Sequence, residues 1–266
     1  MNDVAPASLL PEASALDIDG PVARYRREGF ARLGPVLGED VLAPLRRRCD
    51  QIMLGEVQIP GLFFQHDGST GAYEDLPHGL GWQGPSLAYR KIEKLERDEL
   101  FAAVIGNALF GRVARAVHGG PVALYRAVLF TKSAEGGSHL PWHQDGGTFW
   151  GLDRAPTLQI WTALDDVPAD SGCVEVIPGS HPKGLATPLG GVIPDDVAAA
   201  YGAEARAVPL PARAGEALLL HNHVWHRSGI NRTGRPRRAL TICYMSADTR
   251  CTRRKRAPRE FVRVFE

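Results

Sequence analysis

Apolar and polar positions change their rhythm near residue 120 of this 266-residue chain, and the change divides the expected elements into two kinds. In the first half the apolar residues recur at helical spacing. Val22 and Tyr25 open one such pattern after Pro21, and Gly29 is placed to end it. A second covers Glu39 to about Leu54, with Val41, Leu42, Leu45 and Cys49 on one face and Arg46, Arg47, Arg48 and Asp50 opposite. Asp98 to His118 is a third. Between them, residues 55–85 are rich in glycine, aromatic and turn residues. A stretch of that length without periodicity predicts a functional loop, with His66 and His78 as candidates to face a substrate. After Gly120 come short β-type runs: VALYRAVLFTK, TLQIWTALDDV, CVEVIPG, EALLLHN and RALTICYMSA, each bounded by Gly, Pro, Asp or Asn. Strands at this spacing behind a helical half predict a mainly β domain, a sandwich or barrel, with N-terminal helices packed outside.

Composition narrows the class. With 44% hydrophobic and 23% charged residues the chain can fill a core, so it is not a disordered polypeptide. Lys and Arg number 31 against 30 Asp and Glu, and a near-neutral chain gives no global attraction to nucleic acid or to an anionic membrane. No run approaches the ~18 apolar residues of a membrane span. The N-terminus lacks a basic, apolar secretory pattern. Cys49, Cys173, Cys243 and Cys251 are scattered without a CxxC, as free thiols of a reducing compartment would be, and the expected location is cytoplasmic. Residues 1–18 read as a poorly ordered lead-in and 19–266 as a single domain, with a β core at about 120–248 and a basic tail at 250–259 read as a solvated face.

The candidate chemistry lies in the β half. His143 and Asp145 stand two apart in PWHQDGG, and in an extended segment residues i and i+2 share a side. The run HNHVWHRSG offers His221, His223 or His226 as a third ligand. Two histidines and a carboxylate on one face leave positions open, which suits a non-haem Fe(II) oxygenase; zinc accepts the same ligand types. Arg237 stands eleven residues past His226, and Ser228 stands two past it. A guanidinium fork with a hydroxyl beside an open metal face can grip the far carboxylate of a 2-oxo acid. Strand parity sets Arg237 and Arg238 on opposite faces.

HQDGGTFW, TLQIWTALDDVPADSGCVEVIPGSHPKG and WHRSGINRTGRPRRALTICYMSAD resemble the phytanoyl-CoA dioxygenase family of Fe(II)/2-oxoglutarate oxygenases, over nearly the whole chain from REGFARL to about Asp248. The resemblance implies a double-stranded β-helix, or jelly roll. It implies Fe(II) on His143, Asp145 and His226, 2-oxoglutarate on Arg237 and Ser228, Trp161 beside it and Lys91 at its other end. Dioxygen would be the co-reactant, and a C–H bond of a small molecule, often a secondary metabolite, would be hydroxylated, desaturated or ring-closed. Halogenation is disfavoured because Asp145 occupies the position that halogenases leave vacant for chloride. A zinc-dependent hydrolase and a catalytically silent jelly-roll binding protein are the competing readings. Nothing in the chain points to nucleic acid or membrane partners, and oligomeric state is not legible.

Overall fold

The computed structural model describes residues 15–134, 136–254 and 259–266. Most of the lead-in, residues 1–14, and part of the basic tail, residues 255–258, lie outside the described residues. Two antiparallel sheets face each other. The major sheet runs β1 (Phe30–Pro35), β10 (Glu216–His221), β6 (Leu158–Ala163), β12 (Arg237–Ser246), β4 (Val122–Lys132), β3 (Tyr89–Glu93), β2 (Phe63–His66), and β13 (Arg263–Phe265) also pairs with β4. The minor sheet runs β8 (Gly191–Val192), β5 (Leu140–Gln144), β11 (Trp225–Ser228), β7 (Val174–Ile177), β9 (Val208–Leu210). This is the jelly roll expected from the sequence.

Helices α1 (Asp19–Glu28), α2 (Glu39–Leu54), α3 (Glu99–Ile105) and α4 (Ala108–His118) supply the apolar stripes that cover the outer face of the major sheet; α5 (Asp195–Ala200) and α6 (Ala203–Arg206) flank the minor sheet. The alternation along each central strand shows why its sequence is apolar almost throughout. Leu158 and Ile160, Ala217 and Leu219, Leu240 and Ile242 face the helices, while Trp161 and Ala163, Leu218 and Leu220, and Ala239 face the gap between the sheets. A strand buried on both faces loses its period-2 signature. Each fully buried Leu or Ile contributes roughly 1.5–3 kcal/mol, so the covered sheet is a rigid wall for whatever its inner face presents.

Several boundaries differ from the expectations. The helical stretch 98–118 is two helices, bent by 48° at Gly106–Asn107. Asp98 accepts from Leu100 N at 3.0 Å and Asn107 from Phe110 N at 2.9 Å, so each helix has its own N-cap. The stretch 55–85 is not all loop, since β2 lies within it and pairs with β3. The lead-in becomes ordered before residue 18: Ile18 is buried, and the Leu16 carbonyl accepts from Arg112 at 3.1 Å. The described residues of the 250–259 tail are mostly exposed, as a solvated face would be, but the segment is tied to the barrel at points on either side. Thr252 N bonds the Gly151 carbonyl at 2.8 Å, Arg253 donates to the Phe149 carbonyl at 2.7 Å, and Phe265 is buried against Gly111. No single helix among the described residues is long and apolar enough to cross a membrane.

Gly29 shows how α1 is fixed to the barrel. Its φ of 81° ends the helix, and a Cβ there would stand 2.5 Å from His181 Nδ1.

Candidate active site

His143 on β5 and His226 on β11 are direct cross-strand partners in the minor sheet, with ring centroids 3.9 Å apart. Each Nδ1 lies 2.9 Å from the carbonyl two residues earlier in the chain, Pro141 for His143 and Val224 for His226. With Nδ1–H donated to a carbonyl, the tautomer is set and the Nε2 lone pair of each ring is free for a ligand. Asp145, just past the end of β5, completes the group: one donor atom from each of the three residues falls within 4.8 Å of the others. Among the described residues no other group of His, Cys, Asp or Glu is so arranged.

The protonation states suit a cation. Burial, then the His226 ring, pushes His143 down to about 3, so it is neutral and able to coordinate. Burial alone would raise the Asp145 carboxyl, but Arg126 and the two imidazoles outweigh it and hold Asp145 well below the usual carboxylate range. Arg126 NH2 stands 3.2 Å from Asp145 Oδ1, and Gln159 Nε2 donates to Oδ2 at 2.8 Å. The donor set therefore fits a divalent metal with two neutral imidazoles and one anionic carboxylate.

The triad opens into a cavity of about 170 Å³ between the sheets. Arg237, Ser228, Trp161 and Lys91 all line it, together with the triad. Arg237 is buried and donates to the Gly172 carbonyl at 2.7 Å, yet its Nε has no partner and it forms no ion pair among the described residues. Burial pulls it down to about 10, still protonated at neutral pH. A buried guanidinium without an acid is a site prepared for an anion. Gly172 is required beside it: φ is 68°, and a Cβ would meet the Gly229 carbonyl oxygen at 2.3 Å. Arg238 points the other way, with Nε and NH2 each 2.9 Å from Asp165 and NH1 2.8 Å from Asp50, as parity requires. Lys91 reaches the cavity, but its ammonium is paired with Glu93.

His221 and His223 lie apart from the triad, in a cluster with His181. Neither lines the cavity, nor do His66 and His78. Gln144 points away from the triad and holds the Gly184 and His223 carbonyls at 2.8 and 2.7 Å. Trp150 is a packed wall: it stacks on Tyr125 at 4.5 Å with Arg126 4.7 Å from its centroid, whereas Phe149 is exposed. Arg126 and Gln159 escape the sequence reading. Their only signal is a long polar side chain among the mostly apolar residues of β4 and β6.

Residues 25–239 match the family model described as phytanoyl-CoA dioxygenase (PhyH). The chain is similar to L-proline trans-4-hydroxylase of Streptomyces griseoviridis, 26% identical over 83% of this chain and 84% of the relative. It is also similar to peroxisomal phytanoyl-CoA dioxygenase of Mus musculus, 25% identical over 98% of this chain and 81% of the relative. In fold it is similar to the epimerase SnoN, solved in complex with Fe3+, alpha ketoglutarate and nogalamycin RO. That likeness has a TM-score of 0.69 at 21% identity, covering 92% of this chain and 88% of the other. With the family match spanning most of the residues that build both sheets, the chain belongs to the phytanoyl-CoA dioxygenase family of Fe(II)/2-oxoglutarate oxygenases.

Proposed function

We propose that this chain is an Fe(II)/2-oxoglutarate-dependent dioxygenase that oxidises a C–H bond of a small molecule, by hydroxylation, desaturation or ring closure, in the tailoring of a secondary metabolite. The observation that carries it is the pairing of the His143–Asp145–His226 group with the buried, acid-free Arg237 in one cavity. A zinc hydrolase would leave that guanidinium without a task, and a silent binding protein has no reason to keep three oriented ligands. Iron with 2-oxoglutarate would supply the oxidising power when bound, one atom of dioxygen ending in succinate as CO2 leaves and the other in the hydroxylated product or, for desaturation and ring closure, in water.

The chain's own residues do the rest. His143 and His226 present Nε2 because their Nδ1 atoms are committed to backbone carbonyls. Asp145 is kept anionic and turned toward the imidazoles by Arg126 and Gln159. Arg237 and Ser228 receive the distal carboxylate, Trp161 forms the wall beside it, and Lys91 stands where the other end would lie. The low dielectric between the sheets strengthens each of these contacts. A reducing, cytoplasmic setting fits four free thiols, three of them buried.

The test is anaerobic titration with Fe(II) and 2-oxoglutarate, following the weak visible absorption of their chelate. Alanine at His143, Asp145 or His226 should abolish it, and alanine at His221 or His223 should not. Full iron occupancy in His226→Ala would remove that residue from the ligand set.

A further inference from the structure

Six basic residues line the cavity: Arg90, Lys91, Arg126, Lys132, Arg227 and Arg237. Asp145 is the single acidic residue among the lining residues described. Four of the six are accounted for. Lys91 is paired with Glu93, Arg126 faces Asp145, Arg227 is held by Glu175 at 2.9 Å and by Glu204, and Arg237 awaits the distal carboxylate of 2-oxoglutarate.

Arg90 is left over, and Lys132 stands between it and Arg237, its register partner across β4 and β12. Arg90 NH1 donates at 3.0 Å to the amide oxygen of Gln65, a neutral acceptor, and makes no ion pair among the described residues. Lys132 donates to the Ser138 carbonyl at 2.6 Å and has no acid within bonding distance either. Burial weighs against the charge on both, as do Arg237 and Arg90 for Lys132, and Asp67 offsets this only in part; its Oδ1 already accepts from Gly68 N at 3.2 Å and from Ser138 N at 2.8 Å. A guanidinium with a purely structural task in so enclosed a place would be expected to have a carboxylate.

The backbone explains how Arg90 gets there. In the β2–β3 pair, Gln65 faces Lys91 and His66 faces Tyr89, so Arg90 is an extra residue, a bulge. A regular strand sends neighbours to opposite faces; here both Arg90 and Lys91 reach the cavity. Tyr73, from the segment after β2, lines the same space and adds a phenolic hydroxyl.

Iron and 2-oxoglutarate leave Arg90 without a partner, because one carboxylate of the cosubstrate goes to the metal and the other to Arg237, beside Lys132. Resting on that reading of the site, we infer that the substrate carries an anionic group, a carboxylate or a phosphate, received by Arg90 with Lys132 and Tyr73 beside it. The guanidinium offers two parallel N–H donors to either anion. Anchoring that end would fix which carbon of the substrate faces the metal.

The test uses the protein loaded anaerobically with Fe(II) and saturating 2-oxoglutarate, titrated calorimetrically with acetate and with methyl phosphate as probes. Saturable binding of at least one, in the roughly millimolar range expected of a lone anion, supports the assignment. Arg90→Gln should weaken it roughly ten- to a hundredfold, and Arg90→Lys should recover part. The visible chelate absorption and the 2-oxoglutarate titration should be unchanged in both variants. Acetate alone binding identifies a carboxylate substrate, and methyl phosphate alone a phosphate. The inference is overturned if neither probe binds the loaded wild type, if Arg90→Gln binds as well as wild type, or if that variant loses 2-oxoglutarate affinity. Failure of the chelate absorption in the wild type would instead overturn the iron and 2-oxoglutarate reading.

Discussion

At the scale of single residues, what separates Arg237 from Arg238 is the direction of one Cα–Cβ bond. The first enters the cavity with no acid, and the second meets Asp165 and Asp50 on the far side of the sheet. Removing one partner of a buried, hydrogen-bonded charge pair costs about 2–5 kcal/mol. Arg237→Ala should therefore raise the 2-oxoglutarate requirement by roughly 30- to 3,000-fold while leaving the iron requirement nearly unchanged. Arg237→Lys should restore only part, because an ammonium lacks the fork. Arg238→Ala should keep cosubstrate affinity but lower the melting temperature, since Arg238 ties α2 to β12 through Asp50, Asp165 and the Arg46 carbonyl. Titration of succinate formation in all three variants, with melting curves alongside, checks the assignment; an inverted pattern would mean the register is off by one. Parity made this pair legible from sequence alone. Arg126 and Gln159 were not legible, because their contact with Asp145 crosses from the major sheet to the segment after β5, and no local spacing encodes it.

At the scale of elements, the C-terminal segment adds a strand that the sequence did not announce. Its strand β13 is three residues long and pairs only with the first residues of β4, too short for a periodic signal. Yet a chain of contacts leads inward from it. Arg259 lies over the Tyr125 ring at 5.0 Å, Tyr125 stacks on Trp150, Trp150 packs against Arg126, and Arg126 holds Asp145. Deleting residues from Arg250 onward should then cost more than a solvated tail would. The expected outcome is a lower melting temperature and weaker iron binding, with Phe265→Ala alone losing about 3 kcal/mol by leaving its place against Gly111 empty. Unchanged iron affinity in the truncated protein would show that the contacts do not transmit. The long central strands were legible because they read as continuous apolar runs; β2, the β3 bulge and β13 were not, because short edge strands take their pairing from tertiary neighbours.

At the scale of the whole molecule, the histidines set the response to acid. Burial foremost, aided by neighbouring imidazoles, brings both His143 and His221 down to about 3, whereas in an unfolded chain they titrate near ~6.5. Between those values the unfolded state binds more protons, so the stability of the metal-free protein should fall as pH drops from about 6.5 toward 3. Asp145, held low in the fold, acts in the same direction at the acid end. Urea midpoints measured across that range check this, and a flat profile would contradict it. The paired sheets have one more effect. The histidine ligands belong to the minor sheet and Arg237 to the major one, so a cosubstrate held at both ends spans the gap between them. In the proposed binding mode the fixed separation of the triad from Arg237 would act as a length gauge, and four- and six-carbon oxo-diacids should then replace the five-carbon one poorly in a titration of the iron chelate.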